Sequence, residues 1–171
     1  IGIIHRNCSV EDQVQEVDKV KRSESGMITN PITLDPDKNV GDAHKLAAKF
    51  RIGGVPIVTG TGKLVGLITN RDLKYQDDFS LPVTELMTPS SELVTAPPGI
   101  NLEEAKNILK QIRKEKLPIV DEDFNLCGLI TIKDIDKVRD YPLACKDEQG
   151  RLRVGAAISP NSSLSDVSKL V

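Results

Sequence analysis

The sequences Gly53-Gly-Val-Pro-Ile-Val58 and, after a short turn, Leu64-Val-Gly-Leu-Ile-Thr-Asn-Arg-Asp72 decide the fold, because the chain contains this pattern twice. The second copy reads Lys116-Leu-Pro-Ile-Val120 and Leu126-Cys-Gly-Leu-Ile-Thr-Ile-Lys-Asp134. From Asp72 to Asp134 the offset is 62 residues, and it holds without a gap for further pairs: Thr33/Thr95, Pro36/Pro98, Asn39/Asn101, Ala43/Ala105, Arg51/Arg113, Pro56/Pro118, Gly66/Gly128 and Thr69/Thr131. Two copies are too few for a solenoid, so the repeat predicts a paired module with pseudo-twofold symmetry.

Each copy has the hydrophobic pattern of a β-α-β-β-α unit. Three stretches of the first copy have strand character: residues 32–34, 55–58 and 64–68. The helix between the first two has one apolar face, made of Val40, Ala43, Leu46, Ala47 and Phe50. A second helix begins near Thr69, and the polar residues 75–86 suit a linker. The second copy repeats this order, with strands predicted at residues 93–95, 117–120 and 126–130 and a last helix from Thr131.

The two flanks have a different pattern, in which a strand is followed by a helix. Residues 1–5 predict an apolar strand, and Ser9 caps a helix that ends at residues 23–26. Residues 152–158 predict a second strand, and Ser162 or Ser163 caps a closing helix. Strands followed by helices indicate a parallel α/β fold. We therefore expect four segments: α/β pieces at 1–26 and 139–171, and repeats at 27–86 and 87–138.

Composition argues against several classes of function. Aromatic residues make up 3% of the chain and tryptophan is absent, so the core has to be aliphatic. The 23 basic residues are balanced by 25 acidic ones, which argues against a nucleic-acid-binding surface. No apolar run approaches the roughly 18 residues of a membrane span, and the first residues do not form a signal peptide.

The cysteines and histidines indicate no site of their own. Cys8, Cys127 and Cys145 are odd in number and widely spaced, which favours a reduced, cytoplasmic protein over a disulfide framework. Cys127 lies among apolar strand residues and is expected in the core. His5 and His44 are far apart, so we expect no metal site. The chain begins inside a predicted strand without an initiator methionine, and we expect it to be part of a longer protein.

The candidate functional residues belong to the repeated Gly-Leu-Ile-Thr-x-x-Asp pattern, where a strand leads into a helix. The threonine can cap the helix, and the aspartate favours its positive N-terminal end. The free N–H groups of that end attract phosphate, and a basic residue in the same turn strengthens the attraction. A neighbouring carboxylate can accept both hydroxyls of a ribose. The pattern is therefore either a plain capped helix or a nucleotide site, with these candidate residues: Thr69, Arg71, Asp72, Thr131, Lys133 and Asp134.

This doubled pattern resembles a pair of cystathionine-β-synthase (CBS) motifs, the tandem called a Bateman module, over residues 27–138. In that family the aspartate binds ribose, the threonine and a basic neighbour contact phosphate, and the base lies against apolar strand residues. The resemblance implies that a purine nucleotide such as ATP or GTP binds between the copies, with its base beside Val55, Pro56, Leu117 and Pro118. Two other interpretations stay open, a free-standing CBS nucleotide sensor and a purely structural dimerisation module.

The flanks resemble the IMP dehydrogenase family. Gly2-Ile-Ile-His-Arg-Asn-Cys-Ser-Val-Glu-Asp-Gln13 is similar to an early βα unit of that enzyme. Arg139-Asp-Tyr-Pro-Leu-Ala-Cys-Lys-Asp147 and Val154-Gly-Ala-Ala157 are similar to the segment where its barrel resumes. The resemblance implies an α/β fold in which a tandem CBS-domain pair is inserted in a fragment of a (β/α)₈ TIM barrel.

The same resemblance implies what the parent protein does. It would be an oxidoreductase that converts IMP to xanthosine monophosphate with NAD⁺ in guanine nucleotide synthesis, as a tetramer that can pair into octamers. K⁺ would belong to the parent enzyme and not to this segment. Ser9 matches a position near the dinucleotide site, besides its role as a cap. The family's catalytic cysteine loop is not in this sequence, so we expect no catalytic residue here and a regulatory role for the segment.

Overall fold

The computed structural model describes residues 1–22, 27–147, 151–159 and 163–170. They form two compact units, one made of Ile1–Ile28 with Lys133–Val171 and the other of Thr29–Ile132. The first unit is therefore discontinuous in sequence, and the second is inserted in it. The predicted helix end at residues 23–26 and the alternative cap Ser162 lie outside the described residues.

Strands and helices occur in both units of the described chain. In order they are β1 (Gly2–Ile4), α1 (Val10–Arg22), α2 (Val40–Phe50), β2 (Gly54–Val58), β3 (Leu64–Thr69), α3 (Asn70–Lys74), α4 (Val83–Leu86), β4 (Thr88–Pro89), α5 (Leu102–Ile112), β5 (Lys116–Val120), β6 (Leu126–Thr131), α6 (Ile132–Asp140), β7 (Val154–Ala156) and α7 (Leu164–Lys169).

The discontinuous unit is built on two parallel strands, each followed by a helix. β1 pairs with β7, and Ile3 lies opposite Gly155. Hydroxyl groups cap both helices, since Ser9 Oγ accepts from Asp12 N at 3.1 Å and Ser163 Oγ accepts from Asp166 N at 3.1 Å. The prediction of two parallel βα units is therefore confirmed. β7 is shorter than the predicted strand at 152–158, because residue 152 makes only an isolated bridge to residue 146.

In the inserted unit, each repeat is a helix followed by an antiparallel hairpin. Asn39 Oδ1 caps α2 and Asn101 Oδ1 caps α5, each through a hydrogen bond of 2.9 Å. β2 pairs with β3 and β5 pairs with β6 in equivalent registers, and both hairpins have an irregularity at the equivalent position. The hairpins predicted from the sequence are therefore confirmed in both copies.

The prediction of short strands at residues 32–34 and 93–95 is wrong. Each is replaced by one bridge residue, with Leu34 parallel to Ile57 and Ala96 parallel to Ile119. Leu34 N donates to the carbonyl of residue 56 at 3.0 Å, and its own carbonyl accepts from the amide of residue 58 at 2.9 Å. Prolines lie three residues before Leu34 and two residues after it, and they have no N–H with which to extend the ladder.

The two repeats are joined by a symmetric pair of backbone hydrogen bonds. Leu64 N donates to Phe124 O and Leu126 N donates to Gly62 O, both at 3.0 Å. The two donors, Leu64 and Leu126, are equivalent residues of the two repeats, and so are the two acceptors, Gly62 and Phe124. The residues between them, Lys63 and Asn125, face each other in an antiparallel bridge. A pseudo-twofold axis therefore passes between Lys63 and Asn125, as the repeat predicts.

Most residues of the linker predicted at 75–86 are exposed, but the segment also contains a helix that packs on the first repeat. It contains α4, whose Val83 is fully buried in the core of the first repeat. Its backbone carbonyls bind the first two amides of α2, because Leu81 O accepts from Val40 N at 2.9 Å and Phe79 O accepts from Gly41 N at 3.0 Å. β4, which follows the predicted repeat boundary at residue 86, adds a third strand beside β3.

The core is aliphatic, as composition predicts. Its fully buried large side chains come from both repeats: Val40, Val55, Ile57, Leu64, Ile68, Val83, Leu109, Leu117, Ile119 and Ile130. Cys127 was expected among them but is only half-buried, and its thiol lies 3.6 Å from Asn125 O.

Candidate functional site

The first candidate site is the junction of β3 and α3, where Thr69 and Asp72 bond to each other. The Asp72 carboxylate oxygen Oδ2 accepts from both Thr69 N and Thr69 Oγ1, each at 2.7 Å. Both side chains are half-buried, and Arg71 between them in sequence is exposed. The structure therefore brings the predicted threonine and aspartate together and holds the carboxylate at the start of the helix.

Positive potential at this junction comes mainly from side chains. α3 has only 5 residues, less than two turns, so its macrodipole is weak. One amide of its first turn is also occupied, because Asn70 N donates to Gly53 O at 3.1 Å. The charge of Arg71 is consequently more important for an anionic ligand than the helix alone.

The second candidate site is the junction of β6 and α6, which differs from the first in exposure. Thr131 is half-buried and Lys133 is exposed, but Asp134 is only 7% exposed. α6 has 9 residues, so its N-terminus is a stronger dipole end than that of α3. Ile132 N donates to Glu115 O at 2.9 Å, which matches the bond between Asn70 and Gly53 in the first repeat. The backbone at the two junctions is alike, and the exposure of their carboxylates is not.

The apolar positions expected beside the base are closed. Val55 and Leu117 have no exposed surface, and Pro56 and Pro118 are less than 2% exposed. They lie in the centres of β2 and β5 and pack into the core. A base could contact them only if neighbouring side chains moved.

Lys116 is a candidate site residue that sequence reasoning missed. It lies opposite Thr131 in its own hairpin, and its side chain packs on Gly54, which lies opposite Thr69. A Cβ on Gly54 would be 2.7 Å from Lys116 Cε, so the lysine side chain occupies the space that a side chain at position 54 would take. The lysine side chain is 13% exposed, and its ammonium lies 3.9 Å from the Glu115 carboxylate. It therefore places a positive charge beside the strand positions that pair with the two threonines.

One signal in the sequence could have found this lysine. β2 and β5 read Gly-Val-Pro-Ile-Val and Lys-Leu-Pro-Ile-Val, so Gly54 and Lys116 are the largest difference between equivalent strand positions. Because the two positions meet at the pseudo-twofold axis, a small residue in one copy makes room for a long one in the other.

In the discontinuous unit, the loops after β1 and β7 line a cleft of about 290 Å³. Arg6, Cys8 and Val10 come from one side, and Ile158, Ser159 and Asp166 come from the other. Ligands of parallel α/β folds bind at this end of the strands. Ser9 lies between two lining residues, but its hydroxyl is engaged with Asp12, at 2.7 Å from Oδ2.

The Asp147 carboxyl, in this unit, has a strongly lowered pKa. Burial alone would raise its pKa, but hydrogen bonds from Arg151 N, from the Lys21 ammonium and from the Arg151 guanidinium together hold the pKa well below its usual value. The side-chain bonds are 3.1 Å from Lys21 and 3.0 Å from Arg151. Asp147 therefore links the end of α1 to the segment before β7 as a structural ion pair.

The described residues contain no cluster of three or more histidine, cysteine or acidic side chains able to hold a metal ion. Within the same part of the chain, every helix is too short or too polar to cross a membrane.

Comparison with known proteins places these features in a family. The model of the IMP dehydrogenase / GMP reductase domain matches residues 1–171. An inosine-5′-monophosphate dehydrogenase of Aquifex aeolicus is 54% identical over 97% of this chain and 34% of its own length. That of Bacillus subtilis is 53% identical over 100% of this chain and 36% of its own length. The chain thus spans about a third of the length of the curated relatives it matches.

Solved structures agree with this result. GMP reductase from Trypanosoma brucei in complex with guanosine 5′-triphosphate is 34% identical, with a TM-score of 0.85 over 99% of this chain and 41% of that chain. A structure of the same enzyme with guanosine 5′-monophosphate gives the same TM-score and identity over 99% of this chain and 36% of that one. Since the family model covers both flanks and both repeats, the chain belongs to the IMP dehydrogenase / GMP reductase family.

Proposed function

We propose that this chain is the regulatory portion of an IMP dehydrogenase, a CBS pair that binds purine nucleotides such as ATP or GTP, together with adjoining pieces of the barrel. Family membership and sequence identity above one half to several IMP dehydrogenases support the parent enzyme. The symmetric hydrogen bonds between the repeats support a Bateman-like pair.

The observation that carries nucleotide binding is the geometry at Thr69 and Asp72. Both hydrogen bonds from Thr69 fall on the same carboxylate oxygen, Oδ2. The other oxygen, Oδ1, is the one that a ribose diol would use. Arg71 and Lys116 would balance the phosphate charge, because Arg71 lies beside Thr69 and the Lys116 side chain packs on Gly54, which pairs with Thr69. Thr131, Lys133 and Asp134 would form the second site at the equivalent junction, where the aspartate is less exposed.

The whole protein would carry out chemistry that this segment does not. By resemblance it would oxidise IMP to xanthosine monophosphate with NAD⁺, in the cytoplasm and as a tetramer able to form octamers, and K⁺ would belong to the parent. The barrel pieces are a fragment of the family's TIM-barrel-like α/β fold. We expect Ser9 to act here as a helix cap and the segment alone to be inactive.

A structural dimerisation module is the second candidate, and one observation favours it. Val55, Pro56, Leu117 and Pro118 are buried, so the apolar walls expected for a base are not open. A free-standing CBS sensor has less support, because the family match includes both flanks.

Two measurements separate these candidates. Isothermal titration of ATP, GTP and AMP into the chain tests nucleotide binding, and a protein that stays folded without binding any of them would be structural only. NADH formation from IMP and NAD⁺ by the complete protein tests the parent activity, and no turnover would contradict the dehydrogenase assignment. The variant Lys116→Met keeps the packing on Gly54 but removes the charge. Its affinity for ATP and GTP should fall by a larger factor, relative to wild type, than its affinity for AMP.

A further inference from the structure

Gln13 is one of two polar side chains that are buried among the described residues, and the proposed function does not use it. It lies in the first turn of α1 and is 3% exposed. Its amide nitrogen Nε2 donates to His5 O at 3.1 Å and to Ala157 O at 2.8 Å. A primary amide has two N–H groups, so these two bonds use its full donor capacity.

The two acceptors are the residues that directly follow the parallel strands. His5 comes after β1 and Ala157 comes after β7. The last backbone bond of the ladder, from Ala157 N to Ile4 O, is 3.0 Å long. Beyond it the strands separate, and Gln13 continues the pairing with a side chain in place of backbone. Its amide thus determines how far apart the two strand ends lie.

These strand ends begin the two walls of the cleft described above, and Gln13 itself lines that cleft. On one side the loop folds around His5, since Asn7 N donates to His5 Nδ1 at 3.0 Å and Cys8 Sγ donates to His5 O at 2.9 Å. On the other side Ala157 leads into Ile158 and Ser159, which line the opposite wall. One buried amide therefore contacts the base of both walls.

We propose that Gln13 is a positioning residue for the ligand cleft of the barrel. It contacts no reacting group; it fixes the separation of the two walls, and thereby the site that a phosphate- or ribose-bearing ligand enters at the carboxyl ends of the strands. This inference rests on the proposed dehydrogenase function, in which the barrel binds both IMP and NAD⁺. A displacement of about 1 Å in such walls can lower the efficiency of a reaction by roughly a hundredfold.

The test replaces Gln13 in the complete protein. Gln13→Met keeps length and volume but has no donor, and Gln13→Asn keeps the amide but is one methylene too short to reach both carbonyls. Gln15→Met, at an exposed position of the same helix, is the matched control. We expect Gln13→Met to raise KM for NAD⁺ or IMP roughly tenfold to a hundredfold, Gln13→Asn to have a smaller effect, and Gln15→Met to have none. If Gln13→Met fails to fold, Gln13→Asn carries the test.

The outcomes separate the inference from the proposed function. No turnover by the wild-type protein would refute the proposed function alone. Hydrogen exchange then tests the role of Gln13, because loss of its two hydrogen bonds in Gln13→Met should speed amide exchange at residues 5–9 and 157–159. Unchanged KM together with unchanged exchange would refute the positioning role. A loss of kcat in proportion to the unfolded fraction, with KM unchanged, would mean that Gln13 serves stability only.

Discussion

Replacing Asp72 tests whether this carboxylate is a ligand as well as a part of the helix cap. Asp72→Ala removes both bonds to Thr69, each 2.7 Å long. A typical intramolecular hydrogen bond contributes about 0.5–1.5 kcal/mol, so the unfolding free energy should fall by about 1–3 kcal/mol. If the carboxylate also binds ribose, losing a hydrogen bond to a charged group costs about 1.5–3 kcal/mol of binding, or roughly 10- to 150-fold in Kd.

Asp72→Asn separates the two roles, because an amide oxygen can still accept from Thr69 while the charge is lost. We expect a smaller loss of stability than for Asp72→Ala and a comparable loss of affinity. Urea unfolding measures the first quantity and isothermal titration with ATP and GTP measures the second. Asp77→Ala, at an exposed position after α3, is the control and should change neither. Variants that lose stability but keep wild-type Kd would refute the ligand role and leave the cap.

Three further predictions concern stability. Gly66→Ala should lower the free energy of unfolding by about 1–3 kcal/mol, because its Cβ would overlap Met87 Sδ and lie 2.9 Å from Thr88 O. A variant that is as stable as wild type in urea unfolding would contradict this. Arg113→Gly should raise the free energy of unfolding by about 1 kcal/mol, because Arg113 has φ 53°, in the left-handed region. Lys110→Gly, inside α5, should lower the free energy of unfolding by about as much. Equal effects of the two substitutions would contradict the backbone argument. Asp147→Asn should lower the thermal midpoint at pH 7, because the lowered pKa of Asp147 means that its ionised form stabilises the fold. The difference in thermal midpoint from wild type should shrink as the pH falls below the ordinary carboxyl pKa of 3.8. A difference that does not vary with pH would refute this.

The repeat predicts most of the inserted unit because its periodicity fixes both local structure and pairing. An offset that holds from Thr33 to Asp134 predicts equivalent helices and hairpins, and the paired bonds at Leu64 and Leu126 follow from it. The strand-then-helix pattern of the flanks likewise predicts the parallel pairing of β1 and β7.

The errors arise where tertiary contacts outweigh local pattern. Residues 75–86 look like a linker because they are mostly polar, yet Val83 is buried in the core, and Leu81 and Leu86 pack against it and hold α4 in place. The strand expected at residues 32–34 fails for the opposite reason, since local prolines prevent a ladder that the apolar residues favour.

At the site, the sequence predicts which residues meet but not how exposed they are. Thr69 and Asp72 bond to each other as a capping pattern predicts. The burial of Asp134 and the position of Lys116 over Gly54 depend on packing between elements, which no single repeat specifies. Gln13 was not found for the same reason, because its acceptors His5 and Ala157 lie far apart in sequence.

The stoichiometry of nucleotide binding tests the central claim most directly. Titration of ATP and GTP into the folded chain should give two sites, one at each threonine–aspartate junction, and the double variant Asp72→Ala/Asp134→Ala should retain neither. A wild-type chain that is folded by circular dichroism and binds no purine nucleotide at millimolar concentration would contradict the claim.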